Sequence, residues 1–282
     1  MPARRPRGTL TAMTMDKTHA TFQLSAEAAE VYEARFVPTF FAQWAPRLLD
    51  AAGVTGGQHV LDVACGTGVV ARTAAERVGR SGSVVGTDLN EAMLAVARRV
   101  RPDLTWRQGD VAALPFDDGE FDVVVCQMAM MFFPDPGAAL RQMRRVARPS
   151  GTVGVLVPST LPANRPYELF VDIVTRHAGP AARSLVSTYF ALGDIDGLTQ
   201  SFADAGLIVT AASHPAGRTQ FGSIDEFITI EIDSTPLGNK LDPAAHERIL
   251  TDSRDALAPW QAPDGSLRFP FECSLVVAKV PA

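Results

Sequence analysis

Short apolar runs alternate with amphipathic segments through the first half of the chain. Apolar strands are predicted at residues 58–63, 83–88, 104–108, 121–127 and 152–157. Between them, helices are predicted at 69–78, 90–99 and 136–146, where apolar residues recur at helical spacing. The run at 121–127 is apolar almost throughout, as expected for a strand buried on both faces. Strands that alternate with helices in this way predict a doubly wound α/β fold with a largely parallel sheet.

The pattern changes at both ends of this region. Helices are predicted within 26–52, and further helices at 164–177, 182–191, 194–205, 223–232 and 243–257, with strands at 207–212 and 271–280. Two helical insertions, 164–191 and 221–257, thus interrupt the last strands, and we expect them to form a lid at the ligand edge of the sheet. The predicted organisation is a disordered leader (1–20), a core with N-terminal helices (21–158), and a C-terminal part that carries the last strands and the lid (159–282).

A glycine-rich turn follows the first predicted strand. The sequence VLDVACGTG at 60–68 is a strand that runs into a tight turn and then into a helix. Glycines at 66 and 68 let the backbone approach a ligand closely. In a doubly wound sheet that ligand lies beyond the carboxyl ends of the strands, at the point where the strand order reverses.

The same turn also matches a dinucleotide fingerprint. Gly66, Gly68 and Ala71 fit G-x-G-x-x-A, and Asp88 lies near the position of a ribose-binding acid. Asp62 argues against a dinucleotide, because its charge would oppose a pyrophosphate at the helix N-terminus. It suits S-adenosylmethionine, which carries an ammonium and a sulfonium. An NAD(P)-dependent oxidoreductase is therefore the less favoured alternative.

Two further acids follow the next strands. Asp88 ends the second strand, and its two oxygens are able to accept from both ribose hydroxyls. Asp110 follows the third strand and is a candidate acceptor for the adenine amino group. Three acids at successive strand ends around one glycine turn form a more specific pattern than the glycines alone.

The sequence resembles the class I S-adenosylmethionine-dependent methyltransferases, in the type-11 branch that includes the ubiquinone/menaquinone C-methyltransferases. The resemblance rests on VLDVACGTG at 60–68, GTDLN at 86–90, GDVAALPF at 109–116 and FDVVV at 121–125. It covers residues 25–158 well and the C-terminal region in outline. It implies a Rossmann-like sheet of seven strands, mostly parallel, whose final pair includes an antiparallel strand.

The resemblance also implies which residues contact S-adenosylmethionine. They are Asp62, Ala64, Gly66 and Gly68 at the methionyl end, Asp88 at the ribose, Leu89 against the adenine, Asp110 and Val111 at the adenine edge, Gln127 and Met128 at the methyl-transfer face, and Tyr32 over the cofactor. Structural roles remain open for three of them: core packing for Tyr32, a helix cap for Asp88 and a turn for Asp110.

Histidine and cysteine patterns give no metal site. The five histidines are scattered without metal-ligand spacing, and His177 and His214 are candidates only for a catalytic base. The three cysteines form no CxxC pair, which favours reduced thiols in a cytoplasmic protein.

Charge and hydropathy restrict the partners. The net charge of −5 disfavours nucleic acid, and the longest apolar runs are too short to cross a membrane. The two insertions carry many large apolar residues, namely Phe170, Tyr189, Phe190, Phe221, Phe227 and Ile230. We therefore expect a small, largely apolar substrate under the lid, with Glu231 and Asp233 as candidate polar anchors. The alternative is that the insertions only pack together or form a homodimer interface.

The predicted reaction is methyl transfer from S-adenosylmethionine to an O, N or C nucleophile of a small molecule. The sulfonium already supplies the leaving group, so the protein mainly orients the reactants and keeps the site dry. A protein of the same fold that binds S-adenosylmethionine without methylating, whether cyclase-like or regulatory, is the alternative, because a fold does not fix a function.

Overall fold

One mixed sheet organises the part of the chain that the structure describes. The computed structural model describes residues 24–233, 237 and 241–282; the leader predicted at 1–20 lies outside them. Within these ranges the strands are β1 (His59–Val63), β2 (Ser83–Asp88), β3 (Thr105–Gln108), β4 (Phe121–Gln127), β5 (Ala147–Pro158), β6 (Ile208–Ser213), β7 (Ala216–Phe221) and β8 (Leu267–Lys279). Their order across the sheet is β3-β2-β1-β4-β5-β8-β6, with β7 paired to β8.

The sheet is parallel on one side and antiparallel on the other. β1 pairs in parallel with both β2 and β4, which extend to β3 and β5. β8 runs antiparallel to β5, β6 and β7. The strand order reverses at β1, so the carboxyl ends of β1, β2 and β4 meet at the edge where doubly wound folds bind ligands. The predicted α/β class with a mostly parallel sheet is confirmed.

Helices cover both faces of the sheet. In the described ranges they are α1 (Ala26–Val31), α2 (Ala45–Ala51), α3 (Val69–Val78), α4 (Glu91–Val100), α5 (Pro136–Val146), α6 (Arg165–Ala178), α7 (Pro180–Ser187), α8 (Ile195–Asp204), α9 (Ile224–Asp233) and α10 (Pro243–Leu257). Neighbouring residues of β1 point to opposite faces, Val60 into one apolar cluster and Leu61 into the other. None of these helices is long and apolar enough to cross a lipid bilayer.

Side-chain caps fix where several helices begin. Asn90 accepts from the amides of Ala92 and Met93 and caps α4, as predicted. Half of the predicted capping box at the start of α9 forms, because the Glu226 amide donates to the Ser223 hydroxyl at 3.0 Å. The Glu226 carboxylate accepts from the amide of Gly222, one residue before Ser223, so the reciprocal bond is displaced by one residue.

The segment between α1 and α2 is a π-helix, Tyr32–Phe41. Pro38 lies inside it and supplies no amide hydrogen. The wider turn is marked by the amide of Ala42, which donates to the carbonyl of Val37 five residues earlier at 2.8 Å. This turn carries Tyr32 and the rings of Phe40 and Phe41 towards the sheet edge.

The structure differs from the sequence prediction at the C-terminal strands. The sheet has eight strands in the described ranges where seven are predicted. The additional strand, β7, pairs with the first half of β8, which begins at Leu267 instead of residue 271. Three consecutive polar residues, Arg218, Thr219 and Gln220, occupy the middle of β7 (AGRTQF), and such a sequence resembles a loop. The predicted helix at 182–191 is also divided, into α7 and a 3₁₀ turn at Thr188–Phe190.

Candidate active site

Asp62 connects the end of β1 to the glycine turn. Its side chain is almost fully buried, and its Oδ2 accepts from the amide of Ala71 at 2.9 Å. Ala71 lies in the first turn of α3, so the carboxylate holds the start of that helix against the strand. Gly66 and Gly68 have φ of 56° and 89°, which glycine adopts without strain.

Trp106 of β3 is a structural residue of this turn that the sequence analysis did not identify. A Cβ at Gly68 would lie 2.2 Å from Cη2 of its indole, and one at Gly86 would lie 2.4 Å from Cζ3. The indole Nε1 donates to the carbonyl of Arg101 at 2.9 Å, which fixes the ring. Glycine is therefore required at 68 and 86 by internal packing, in addition to any close approach of a ligand.

Asp88 bridges the glycine turn and the end of β2. Its Oδ2 accepts from the Gly66 amide and its Oδ1 from the Asn90 amide, both at 2.8 Å. Burial raises the pKa of Asp88, although these two amides and that of Leu89 oppose the shift. Each carboxylate oxygen has two acceptor positions, so both oxygens keep capacity for a ligand hydroxyl.

The predicted adenine contacts lie at the rim beside Asp88. Leu89 is one of the exposed large apolar residues, with 37% of its surface accessible. Asp110 is exposed, and its Oδ1 accepts from the Ala112 amide at 2.8 Å, which caps the 3₁₀ turn Val111–Ala113. Asp110 thus has the local turn role that remained open, and it stays accessible from solvent.

Tyr32 lies over the glycine turn. A Cβ at Gly66 would be 3.9 Å from both Cε1 and Oη of the tyrosine. Burial raises the pKa of the Tyr32 phenol, and the nearby carboxylates of Asp88, Glu33 and Asp62 raise it further. The Glu33 side chain also pairs with Arg72 of α3 at 2.8 Å, which ties the π-helix to the turn.

Gln127 and Met128 continue this edge beyond β4. The amide Nε2 of Gln127 donates to the carbonyl of Phe41 at 3.1 Å, whereas its buried Oε1 has no hydrogen-bond partner among the described residues. Met128 and Ala64 both have positive φ, at 52° and 53°. Such strained conformations concentrate at functional sites. An unsatisfied buried acceptor at the sheet edge that also carries Asp62 and Asp88 is suited to an ammonium donor, so Gln127 fits the methionyl end of S-adenosylmethionine in addition to the methyl-transfer face that the resemblance implies.

The edge has an acidic electrostatic character. Burial raises the pKa of Asp62 to about 8, with a further increase from the Asp88 charge, while the Ala71 amide and Arg72 lower it. A bound cation would favour the ionised carboxylates. The structure therefore brings Tyr32, Asp62, Gly66 and Asp88 together as predicted; that they contact the cofactor remains a prediction.

This raised pKa gives a testable pH dependence. The folded protein holds the Asp62 proton up to about pH 8, but the unfolded chain loses it near 3.8. The free energy of unfolding should therefore fall as pH rises between these values. Asp62→Asn keeps an oxygen for the Ala71 amide and has no proton to lose. Near pH 8 we expect the free energy of unfolding of Asp62→Asn to exceed that of the wild type by at least about 1 kcal/mol. Near pH 5 we expect this difference to be smaller.

Urea denaturation at both pH values measures this difference. Asp103→Asn is the control, because a hydrogen bond from Arg101 lowers the pKa of Asp103 to about 2, outside the tested interval. If the free energy of unfolding changed with pH in the same way for the wild type and for Asp62→Asn, the raised pKa of Asp62 would be contradicted.

A second group of residues lies on the lid side. The Tyr167 hydroxyl donates to Oε1 of Glu231 at 2.9 Å, which joins α6 to α9. Burial raises the pKa of Glu231 to about 7, and the bond from Tyr167 lowers it. Rings surround Tyr167 at centroid distances of 5.2–5.8 Å: Phe190, Phe227, Phe269 and Phe271. We call these five rings the aromatic cluster.

Both candidate histidines have structural partners. Nε2 of His177 lies 2.8 Å from Oδ2 of Asp252, which joins α6 to α10 and also pairs with Arg176. Nδ1 of His214 lies 3.5 Å from Glu272. These contacts explain both side chains without catalysis, and a role as base remains a prediction.

Comparison with known proteins agrees with this geometry. Residues 60–151 match the family model described as a methyltransferase domain. The chain is 40% identical over 146 residues to nocamycin O-methyltransferase of Saccharothrix syringae, covering 50% of this chain and 52% of that protein. It is 35% identical over 176 residues to demethylmenaquinone methyltransferase of Renibacterium salmoninarum, covering 58% and 72%.

The solved structures agree in fold. A methyltransferase structure from Bacillus halodurans C-125 superposes with a TM-score of 0.59 at 20% identity, covering 84% of this chain and 99% of that one. The chain spans about half the length of the nocamycin enzyme and most of the demethylmenaquinone enzyme. The sequence of the chain and its fold therefore agree on the same family. The chain belongs to the class I S-adenosylmethionine-dependent methyltransferases, in the branch that includes the demethylmenaquinone methyltransferases.

Proposed function

We propose that the enzyme transfers the methyl group of S-adenosylmethionine to an O, N or C nucleophile of a small, largely apolar molecule. Asp62, Gln127 and the glycine turn hold the methionyl end, and Asp88 holds the ribose. Leu89, Asp110 and Val111 surround the adenine, while Tyr32 covers the cofactor and Met128 lines the methyl-transfer face.

A chain of aromatic contacts supports the small apolar acceptor. Tyr32, above Gly66, is 4.9 Å from Phe41, and Phe41 is 5.1 Å from Phe40. Phe40 is 5.0 Å from Phe271, a member of the aromatic cluster. Rings thus connect the glycine turn to the lid helices without interruption. Ligand sites of this kind are mostly apolar, with a few polar groups that set the orientation.

Catalysis then depends on position more than on strong acids or bases. The bound sulfonium supplies an activated methyl group and its leaving group. The protein aligns the nucleophile with that methyl, and the rings of the lid keep water out. Gln127 is fixed by the Phe41 carbonyl, so the cofactor side and the aromatic side of the site are connected through one backbone group.

Product analysis tests the proposal. The purified enzyme is incubated with S-adenosylmethionine and a panel of pure aromatic alcohols, amines and carbon nucleophiles, and products are identified by mass spectrometry. We expect S-adenosylhomocysteine and a methylated acceptor in equal amounts. Asp88→Ala is the matched control, because it removes the ribose contact without altering the aromatic cluster.

Three outcomes would contradict the proposal. Turnover of an acceptor without methyl gain would favour the non-methylating, cyclase-like alternative. Methylation of nucleic acid or protein alone would exclude a small acceptor. Concentration-dependent dimerisation that buries α6 and α9 would give the lid helices a different role, which sedimentation analysis detects.

A further inference from the structure

The ion pair between Glu33 and Arg72 is largely shielded from water. Nη1 of Arg72 lies 2.8 Å from Oε1 of Glu33 and Nη2 lies 3.3 Å from Oε2, so the pair is bidentate. The Arg72 and Glu33 side chains are 15% and 19% exposed, and in every other ion pair between described residues at least one partner is more exposed than either. Such burial strengthens the attraction, and the two parallel bonds fix its geometry.

Each partner follows, in the chain, a residue of the candidate active site. Glu33 comes directly after Tyr32 of the π-helix, whose ring lies over the glycine turn. Arg72 comes directly after Ala71, whose amide donates to the buried carboxylate of Asp62 at 2.9 Å. The ion pair therefore joins the backbone beside the tyrosine ring to the backbone beside the glycine turn.

The rings next to Tyr32 do not fix its position over that turn. Phe36 and Phe41, at centroid distances of 6.2 Å and 4.9 Å, belong to the same π-helix and move with it. In the described part of the chain, two polar contacts connect this helix to elements beyond its immediate chain neighbours: the ion pair at its start and the bond from Gln127 at its end. Apolar packing of Tyr32 against α4 is not directional, so the bidentate pair sets the orientation at the start.

The surroundings also require the positive charge of Arg72. Asp88, Glu33 and Asp62 all lie near enough to the Tyr32 ring to raise the pKa of its phenol. Three carboxylates around one place repel one another. Arg72, whose charge lowers the pKa of Asp62, offsets this repulsion. Without that cation Glu33 would turn away from the two aspartates, and Tyr32 would turn with it.

Building on the proposed function, in which Tyr32 covers the cofactor, we propose that Glu33 and Arg72 are positioning residues of this methyltransferase. Their ion pair holds the Tyr32 ring over the glycine turn, and the ring in that place slows the dissociation of S-adenosylmethionine and of its product. Neither residue needs to contact the reacting atoms. When the pair is broken, the ring leaves the turn more often and the bound ligand escapes faster.

The binding kinetics of S-adenosylhomocysteine test the proposal without turnover. Surface plasmon resonance on the immobilised protein measures the association and dissociation rates. Glu33→Gln keeps the shape of the side chain and removes its charge. We expect dissociation to become about tenfold faster, the effect of weakening a hydrogen bond between charged groups. The association rate should not fall, because the residues that bind the ligand are unchanged.

A Tyr32→Leu background shows whether the ion pair acts through the ring. Tyr32→Leu should itself accelerate dissociation. Adding Glu33→Gln to it should then change the dissociation rate by about twofold at most, because the ring that the pair holds is already absent. A merely structural role of the pair would accelerate dissociation by the same factor in both backgrounds, and that result would overturn the proposal.

Two further variants serve as controls. Glu30→Gln removes the partner of Arg99 from an exposed pair that joins α1 to α4, and it should leave both rates unchanged, because exposed ion pairs contribute little. Arg72→Lys keeps the charge without the planar fork, so its dissociation rate should lie between those of the wild type and Glu33→Gln. If Glu33→Gln does not fold, the double variant with Arg72→Gln replaces it, since it leaves no buried charge unpaired.

The possible failures are distinguishable. If the wild type does not bind S-adenosylhomocysteine, the proposed function is wrong. If Tyr32→Leu releases it at the wild-type rate, Tyr32 does not cover the cofactor, and both that part of the proposed function and the present proposal fail. If Tyr32→Leu accelerates dissociation and Glu33→Gln does not, the ion pair does not position the ring, and the proposed function stands.

Discussion

Asp88→Ala is expected to weaken the binding of S-adenosylhomocysteine about 10- to 100-fold, the effect of losing hydrogen bonds to a charged group. The expectation follows from two roles of the carboxylate. It offers acceptor positions to the ribose hydroxyls, and it holds the Gly66 and Asn90 amides at 2.8 Å. Alanine removes both, so the ligand loses its partner and the turn loses its connection to β2. Calorimetric titration measures the affinity.

Two further variants separate these roles. Asp88→Asn retains one oxygen acceptor without the charge and should give an intermediate affinity. Asp103→Ala, at an exposed residue after α4, serves as the control and should bind normally. Circular dichroism establishes that each variant folds. A folded Asp88→Ala protein with wild-type affinity would remove Asp88 from the cofactor site.

The parallel strands were predictable because their environment leaves a local pattern. A strand buried on both faces is apolar throughout, and a glycine turn and a helix cap mark its end. The prediction at 121–127 agrees with β4 at both ends, and that at 83–88 agrees with β2. Because Asp62 and Asp88 lie at strand ends, a correct prediction of the strands also places both acids at the sheet edge.

The hairpin of β7 and β8 was not predictable in the same way. Arg218 and Gln220 of β7 face outward, so its short sequence lacks an apolar run. Its partner residues in β8 are about fifty positions away, and no local signal encodes that pairing. The polar contacts of the lid, such as Tyr167 with Glu231, are likewise set by tertiary packing. For the same reason the sequence identified Glu231 only as a candidate anchor.

The position of Tyr32 came from family resemblance, because the residues alone left core packing equally open. The structure brings both roles together. The ring contacts Phe41 in the core and also covers Gly66. A π-helix that contains Pro38 sets this orientation, and helical periodicity alone does not specify such a turn.

The largest stability effect at the site is expected for Gly86→Ala. Gly86 is in β2 with an ordinary backbone conformation, so an added methyl group changes the stability only through the atoms that it contacts. It would meet Trp106 Cζ3 at 2.4 Å, Cε3 at 2.5 Å and the Cys65 sulfur at 3.0 Å. The indole is held by the β2–β3 register and by its bond to Arg101, so it cannot move aside. We expect a loss of about 1–3 kcal/mol in the free energy of unfolding, measured by urea denaturation.

A double variant identifies the cause. Trp106→Leu removes the ring that meets the new methyl, so Gly86→Ala should cost less in the Trp106→Leu background, with a coupling of about 1 kcal/mol or more. Gly56→Ala is the control, since the nearest atom to its added Cβ is 4.0 Å away. Strictly additive costs would mean that the indole does not explain the glycine. Because the same ring lies against Gly68, Gly86→Ala should also displace the glycine turn and weaken S-adenosylhomocysteine binding, although Gly86 is not part of the hydrogen-bonded bridge between Asp88 and Gly66.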